Sequence, residues 1–308
     1  MNTMNQRKQI ITVYLFAVSL IVLCCRDIFA VDAPVPSPQR VVSLAPSVTE
    51  TLFALGFGDR VVGVTTYCDY PAAARRLPKI GGFTNPSLEA IVATRPDLVI
   101  GVNDSSHPVK TKELEHLGIK IALLSVTSLD DILNSFKSVA RMLGRPQTGD
   151  RLAHKISQQF EEVKKRVAPV PRRSTLLAVG LRPLVAVGGK NFIDELITLA
   201  GGENIAGNAA QPWLNLPDEY VVAKAPQVII QAGMGSERGT SVKYWGDLKS
   251  IPAVKEGRVY SYPSDKILRP GPRVGEGLEE IARLVHPECF AESKPGLNRR
   301  SGCEGSRP

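Results

Sequence analysis

The stretch NPSLEAIVATRPDLVI (85–100) returns in altered form as NLPDEYVVAKAPQVII (215–230), with Asn, Glu, Val, Ala, Pro and Ile in register at 85/215, 89/219, 92/222, 93/223, 96/226 and 100/230. A second echo joins VTETLFALGFGDRVVG (48–63) to FIDELITLAGGENIAG (192–207), with Leu52/Leu196, Leu55/Leu199, Gly58/Gly202 and Gly63/Gly207 matched. Chance likeness between βα units explains two such matches less easily than one. The chain is therefore expected to contain two lobes of one design, and each copy of the first echo keeps a Glu near the start of its helix.

Short apolar runs alternate with amphipathic stretches from Arg40 onward, the sign of βα units around mostly parallel sheets. Strands are expected at 41–45, 61–66, 97–102 and 120–125, with helices at 47–56, 87–95, 108–118 and 128–144. Gly56, Gly118 and Gly144 stand where helix ends favour left-handed geometry. The second half gives strands at 174–180, 184–188, 227–233 and 258–263, and helices at 192–202, 217–225 and 272–286. Between the halves, Leu152, Ile156, Phe160, Val163 and Val167 step by four, four, three and four, one stripe along a helix. At 1.5 Å per residue that helix is about 30 Å long, a rigid strut where a hinge would be written in Gly and Ser. The expected organisation is α/β, with one lobe over 38–145, a connecting helix over 146–170 and a second lobe over 171–287.

The ends carry a different message. Arg7 and Lys8, the apolar run Ile10–Leu23 and the small residue Ala30 follow the order of a secretory signal peptide over 1–30, with the mature chain beginning near Val31. The run falls short of the roughly 20 residues a membrane span needs. The bulky Leu23 before Cys24 disfavours a lipid anchor. Removal of Arg7, Lys8, Arg26 and Asp27 with the leader lowers the formal charge from +8 to +6, a mild basicity suited to anionic ligands or surfaces; no basic–aromatic nucleic-acid motif occurs. Cys68, Cys289 and Cys303 remain, too few for a disulfide framework; pairing of the last two would leave Cys68 alone. The Gly-, Ser- and charge-rich stretch 288–308 is expected to be disordered.

Two such lobes leave a cleft at the carboxyl ends of their sheets, where open α/β sheets bind ligands. Its expected walls are YCDYP (67–71), Phe83, Trp213 in QPWLNLP, and SDKILRPGPR (264–273). Aromatic rings offer broad contact at small entropic cost and Arg a rigid donor fork. Each ring taken singly is as readily a core residue; their setting in Pro- and Gly-rich loops favours a pocket. Catalytic motifs are missing: no nucleophile elbow, HExxH, GxGxxG or P-loop. His107, His116, His154 and His286 lack metal-ligand spacing, and only His107 is expected near the cleft. Cys68 has no His or Asn placed to activate it. The expectation is a binding protein, not an enzyme.

The order VVSLAPSVTETLFALG, VVGVTTYCDYP, SLEAIVATRPDLVI, PW, WGDLKSIPAVKEGRVY and PGPRV, spanning roughly 38–287, resembles the periplasmic cobalamin-binding proteins of ABC importers, in the helical-backbone (TroA-like) superfamily. The resemblance implies two Rossmann-like lobes and a receptor that captures cobalamin as transported ligand, with no cofactor of its own, for delivery to a dimeric ABC permease. It further implies corrinoid contacts from Tyr67, Phe83, Trp213, Asp265 and Arg269, and permease docking through Glu89 and Glu219. A Glu in the first turn of a helix is also favoured by the macrodipole alone. Val102 and Val185 depart from the pattern, standing where such receptors can carry aromatics. Heme and ferric-siderophore receptors share the lobes; Tyr70 is the heme-ligand candidate, and Arg269 with Arg273 the grip for an anionic chelate.

Overall fold

A computed structural model describes residues 37–103, 111–233 and 244–291. The expected leader, His107 and Cys303 lie outside those residues, as does most of the 288–308 stretch. From Pro38 the chain forms one compact unit.

Strands β1 (Val41–Ser43), β2 (Val61–Val64), β3 (Leu98–Val102) and β4 (Lys120–Leu124) form a parallel sheet in the order β2-β1-β3-β4. Val41, Val42, Val99 and Ile100 are wholly buried, as both faces of central parallel strands require. Helices α1 (Pro46–Ala54), α2 (Leu88–Ala93), α3 (Thr111–His116) and α4 (Leu129–Met142) alternate with them. A capping box starts α4: the Ser128 hydroxyl accepts from the Asp131 N–H, and the Asp131 carboxylate accepts from the Ser128 N–H. Gly56, Gly118 and Gly144 take positive φ of 79°, 73° and 82°, as their positions after helices predicted.

The connecting helix α5 runs from Pro146 to Val167, about 33 Å. It stops before the expected 170 because Pro169 cannot extend it. Ile156, Phe160, Val163 and Val167 turn into the core, each burial contributing about 1.5–3 kcal/mol. Gly149 lets α4 approach α5: a Cβ there would lie 2.7 Å from Ala140 Cβ. Leu152 and Val126 pack against the cores of both lobes.

The second lobe contains β5 (Arg173–Leu181), β6 (Leu184–Val187), β7 (Gly202–Asn204), β8 (Trp213–Asn215), β9 (Val228–Gln231) and β10 (Val259–Ser261). Its helices are α6 (Phe192–Leu199), α7 (Asp218–Lys224), α8 (Pro252–Lys255), α9 (Asp265–Leu268) and α10 (Val274–Val285). The parallel strands β7-β5-β9-β10 repeat the order β2-β1-β3-β4. An antiparallel addition, β6 and β8, extends the sheet beyond β5.

Two expectations need correction. Trp213 begins β8, paired with Val187, rather than lying in a loop; three residues bounded by Pro212 and Pro217 are too few to show a strand period. The second lobe also extends past 287. A 3-10 turn spans Pro287–Cys289, and the Arg166 and Arg283 guanidinium groups lie 5.0 and 4.9 Å from the Phe290 ring centre. Those cation–π contacts hold four residues of the expected tail on the fold.

Candidate functional site

Strand β2 ends in the tight segment Thr65–Pro71, while β10 leads through Pro263 into the single turn α9. The two segments face each other across a cleft of about 430 Å³. Thr66, Tyr67 and Asp69 line it from the first lobe, and Ser264, Asp265 and Arg269 from the second. Tyr67 is 59 % exposed, leaving its ring available for a ligand to cover.

Behind the cleft lies an ion cluster that ties the lobes together. Helix α1 is buried on nearly every side, and Glu50 within it is only 2 % exposed. A carboxylate so placed demands partners, and two guanidinium groups of the other lobe supply them. Arg273 grips it with both prongs, Nε to Oε2 at 2.7 Å and Nη2 to Oε1 at 2.6 Å. Arg269 donates from Nη1 to Glu50 Oε1 at 3.1 Å and to Asp69 Oδ1 at 2.7 Å. Its Nη2 stands 2.9 Å from Asp265 Oδ2. Three carboxylates thus meet two guanidinium groups, a formal balance of −1. Burial acts to raise the Asp69 carboxyl, but the hydrogen bond and charge of Arg269 outweigh it and hold the group below its ordinary value. The Glu50 hydrogen bond leads in holding Arg273 more firmly protonated than usual.

Of the residues the sequence nominated, Tyr67, Asp265 and Arg269 meet at the cleft. Arg269 is engaged by three carboxylates there. Phe83 is half-buried against the first lobe's core, next to Gly82, where a Cβ would lie 4.0 Å from the Tyr67 ring. Trp213 is 44 % exposed on β8 and is not part of the cleft lining. Tyr70, 48 % exposed, lies under the Arg273 guanidinium at 4.1 Å. Val102 packs partly buried at the end of β3, and Val185 faces Asn215 across the β6–β8 pair. Glu89 and Glu219 each occupy the second position of their helices, α2 and α7. Both are exposed and make no hydrogen bond or ion pair among the described residues.

Sequence reasoning missed Glu50 and Asp69. The readable signal was an acid at the centre of PSVTETLFA, a helix with no continuous polar face to carry it to water. Cys68 is buried, its Sγ 3.1 Å from the Thr49 and Thr65 hydroxyls, with no imidazole among its hydrogen-bond partners in the described residues. Among the described residues, no cluster of His, Cys, Asp or Glu could hold a metal ion. His116 and His154 are exposed. His286 is buried between Gly201 O and Glu288, both at 3.1 Å, away from the cleft lining.

Residues 41–266 match the family described as periplasmic binding protein. This chain belongs to that family. Over 262 residues it is 30 % identical to a vitamin B12-binding protein of Yersinia pestis, covering 84 % of this chain and 91 % of the relative. Its structure is similar to the apo periplasmic heme-binding protein RhuT from Roseiflexus sp. RS-1, with 29 % identity, a TM-score of 0.73, and coverage of 82 % and 99 % of the two chains. It is also similar in fold to the vitamin B12-binding protein of Vibrio cholerae, with 24 % identity, a TM-score of 0.70, and coverage of 83 % and 99 %. This periplasmic binding protein therefore has the two-lobe α/β architecture of its family.

Proposed function

We propose that this periplasmic binding protein captures cobalamin or a related corrinoid in the inter-lobe cleft and delivers it to the permease of an ABC importer. One observation carries the choice of ligand: Glu50, Asp69 and Asp265 already neutralise Arg269 at the cleft and Arg273 behind it. A ferric siderophore or the propionates of heme would need free guanidinium groups. A largely uncharged corrinoid needs contact area and a few hydrogen bonds, which Tyr67 and the Asp265–Arg269 pair offer. Phe83 and Trp213 extend the apolar contact in this reading. The curated B12-binding relatives support it. Capture is the whole mechanism: α5 and the ion cluster keep the cleft largely preformed, lobe movement is small, and no covalent step is involved. Glu89 and Glu219 dock on cationic pockets of the two permease subunits, which pry the lobes apart for release.

Heme capture through Tyr70 is the second reading, favoured by the exposure of that phenol and by the likeness to RhuT. Calorimetric and visible-absorbance titration of the mature chain with cyanocobalamin, then with haemin, separates the two. Saturable one-to-one binding of cyanocobalamin is the expected result. A Soret shift with haemin, lost in Tyr70→Phe, and no corrinoid binding would overturn the corrinoid reading.

A further inference from the structure

Two of the six identities shared by 85–100 and 215–230 have a packing or backbone reason. Ile100 and Ile230 are fully buried. Pro96 and Pro226 follow Arg95 and Ala225, which end α2 and α7 in the same left-handed geometry, φ 47° in each case. The other four, Asn85/Asn215, Glu89/Glu219, Val92/Val222 and Ala93/Ala223, are exposed in both copies, where packing does not select the residue.

Positions i, i+3 and i+4 share one side of a helix. Glu89, Val92 and Ala93 therefore form one face of α2, and Glu219, Val222 and Ala223 the same face of α7. The preceding residues, Ile91 and Val221, are buried and meet the core's needs. Val92 and Val222 are each left 38 % exposed beside a carboxylate without a partner among the described residues.

We propose that Val92 with Ala93 and Val222 with Ala223 are the apolar halves of two equivalent docking faces, whose charged halves are Glu89 and Glu219, and that each pair seats on one of two identical permease subunits. The inference rests on the delivery reading above and adds the residues that set docking affinity. A face carried twice with the same backbone geometry suits a partner that presents its complement twice, because the second contact then forms within one complex. The complement is a cation beside a shallow apolar socket, and the valines exclude water from the ion pair and strengthen it. A second copy of this chain does not fit: any pairing of these faces sets carboxylate against carboxylate.

The test uses the full mature receptor and the permease–ATPase importer of the same organism in proteoliposomes, reading ATPase activity against receptor concentration. For Val92→Ser with Val222→Ser, half-maximal stimulation is expected to need roughly tenfold more receptor, with each single substitution giving a comparable smaller shift. Cyanocobalamin affinity and the thermal midpoint should stay unchanged, since both side chains lie outside the core and the cleft. If Glu89→Ala with Glu219→Ala abolishes stimulation while the valine pair changes nothing, this inference is overturned and delivery through the two carboxylates stands. If neither pair has an effect, the docking reading itself falls. Loss confined to one valine would end the claim of equivalence. Sedimentation showing a receptor dimer that the valine substitutions dissolve, with normal stimulation, would assign the faces to self-association instead.

Discussion

The exposed face of α2 recurs on α7 residue for residue at 89/219, 92/222 and 93/223, whereas the two walls of the cleft differ. There the first lobe contributes Glu50, Asp69 and Tyr67, and the second contributes Arg269 and Arg273 with Asp265. The strand order is also shared, β2-β1-β3-β4 against β7-β5-β9-β10, but only the second lobe carries the antiparallel β6 and β8. Duplicated scaffolds thus keep their likeness in the core, where packing demands it, and on one outer face. The sides turned toward each other have become complementary in charge. That contrast fits a receptor whose ligand is asymmetric and whose partner is twofold.

The sharpest way to break the comparison is at Glu50. Glu50→Ala leaves Arg273 and Arg269 partly buried without their common acceptor and should cost about 3–5 kcal/mol, measured by urea unfolding. A change below 1 kcal/mol would show that the cluster does not hold the lobes. Next in size is Trp213→Ala, on the strand that has no counterpart in the first lobe. It should weaken cyanocobalamin binding by about 1–3 kcal/mol with little effect on stability; an unchanged dissociation constant would remove β8 from the binding surface.

Asp69→Asn should have the smallest effect. The Asp69 side chain is 48 % exposed, so its pairing with Arg269 contributes less than about 1 kcal/mol. Because its folded-state pKa is depressed, that contribution is fully present above the ordinary value of 3.8 and lost as pH falls below it. Acid unfolding of the variant should therefore show a slightly flatter loss of stability over that range. Curves that superimpose would take Asp69 out of the latch.

Much of the architecture was legible in the residues because its signals are local. Short apolar runs marked β1 to β6, β9 and β10, and a 3.6-period stripe marked α5. Glycines at 56, 118 and 144 marked helix ends with φ of 79°, 73° and 82°. The elements without an apolar run or a sustained helical stripe were not legible: β7, β8, α8 and α9. At the site, loop composition pointed to the segments 67–71 and 264–273, and the family resemblance singled out Tyr67, Asp265 and Arg269 within them. It could not show that Arg269 is already engaged.

The sequence by itself therefore determined the two βα lobes, the rigid helix between them and the pair of surface faces repeated at an offset of 130 residues (89/219), since each depends on patterns within a few turns of chain. Only the tertiary structure decided the charge of the cleft. Arg269 meets Glu50 and Asp69 across 219 and 200 residues of chain, and no local pattern encodes which carboxylate a distant guanidinium will find. That pairing arises when burial of α1 removes Glu50 from water and the second lobe brings Arg269 and Arg273 within reach.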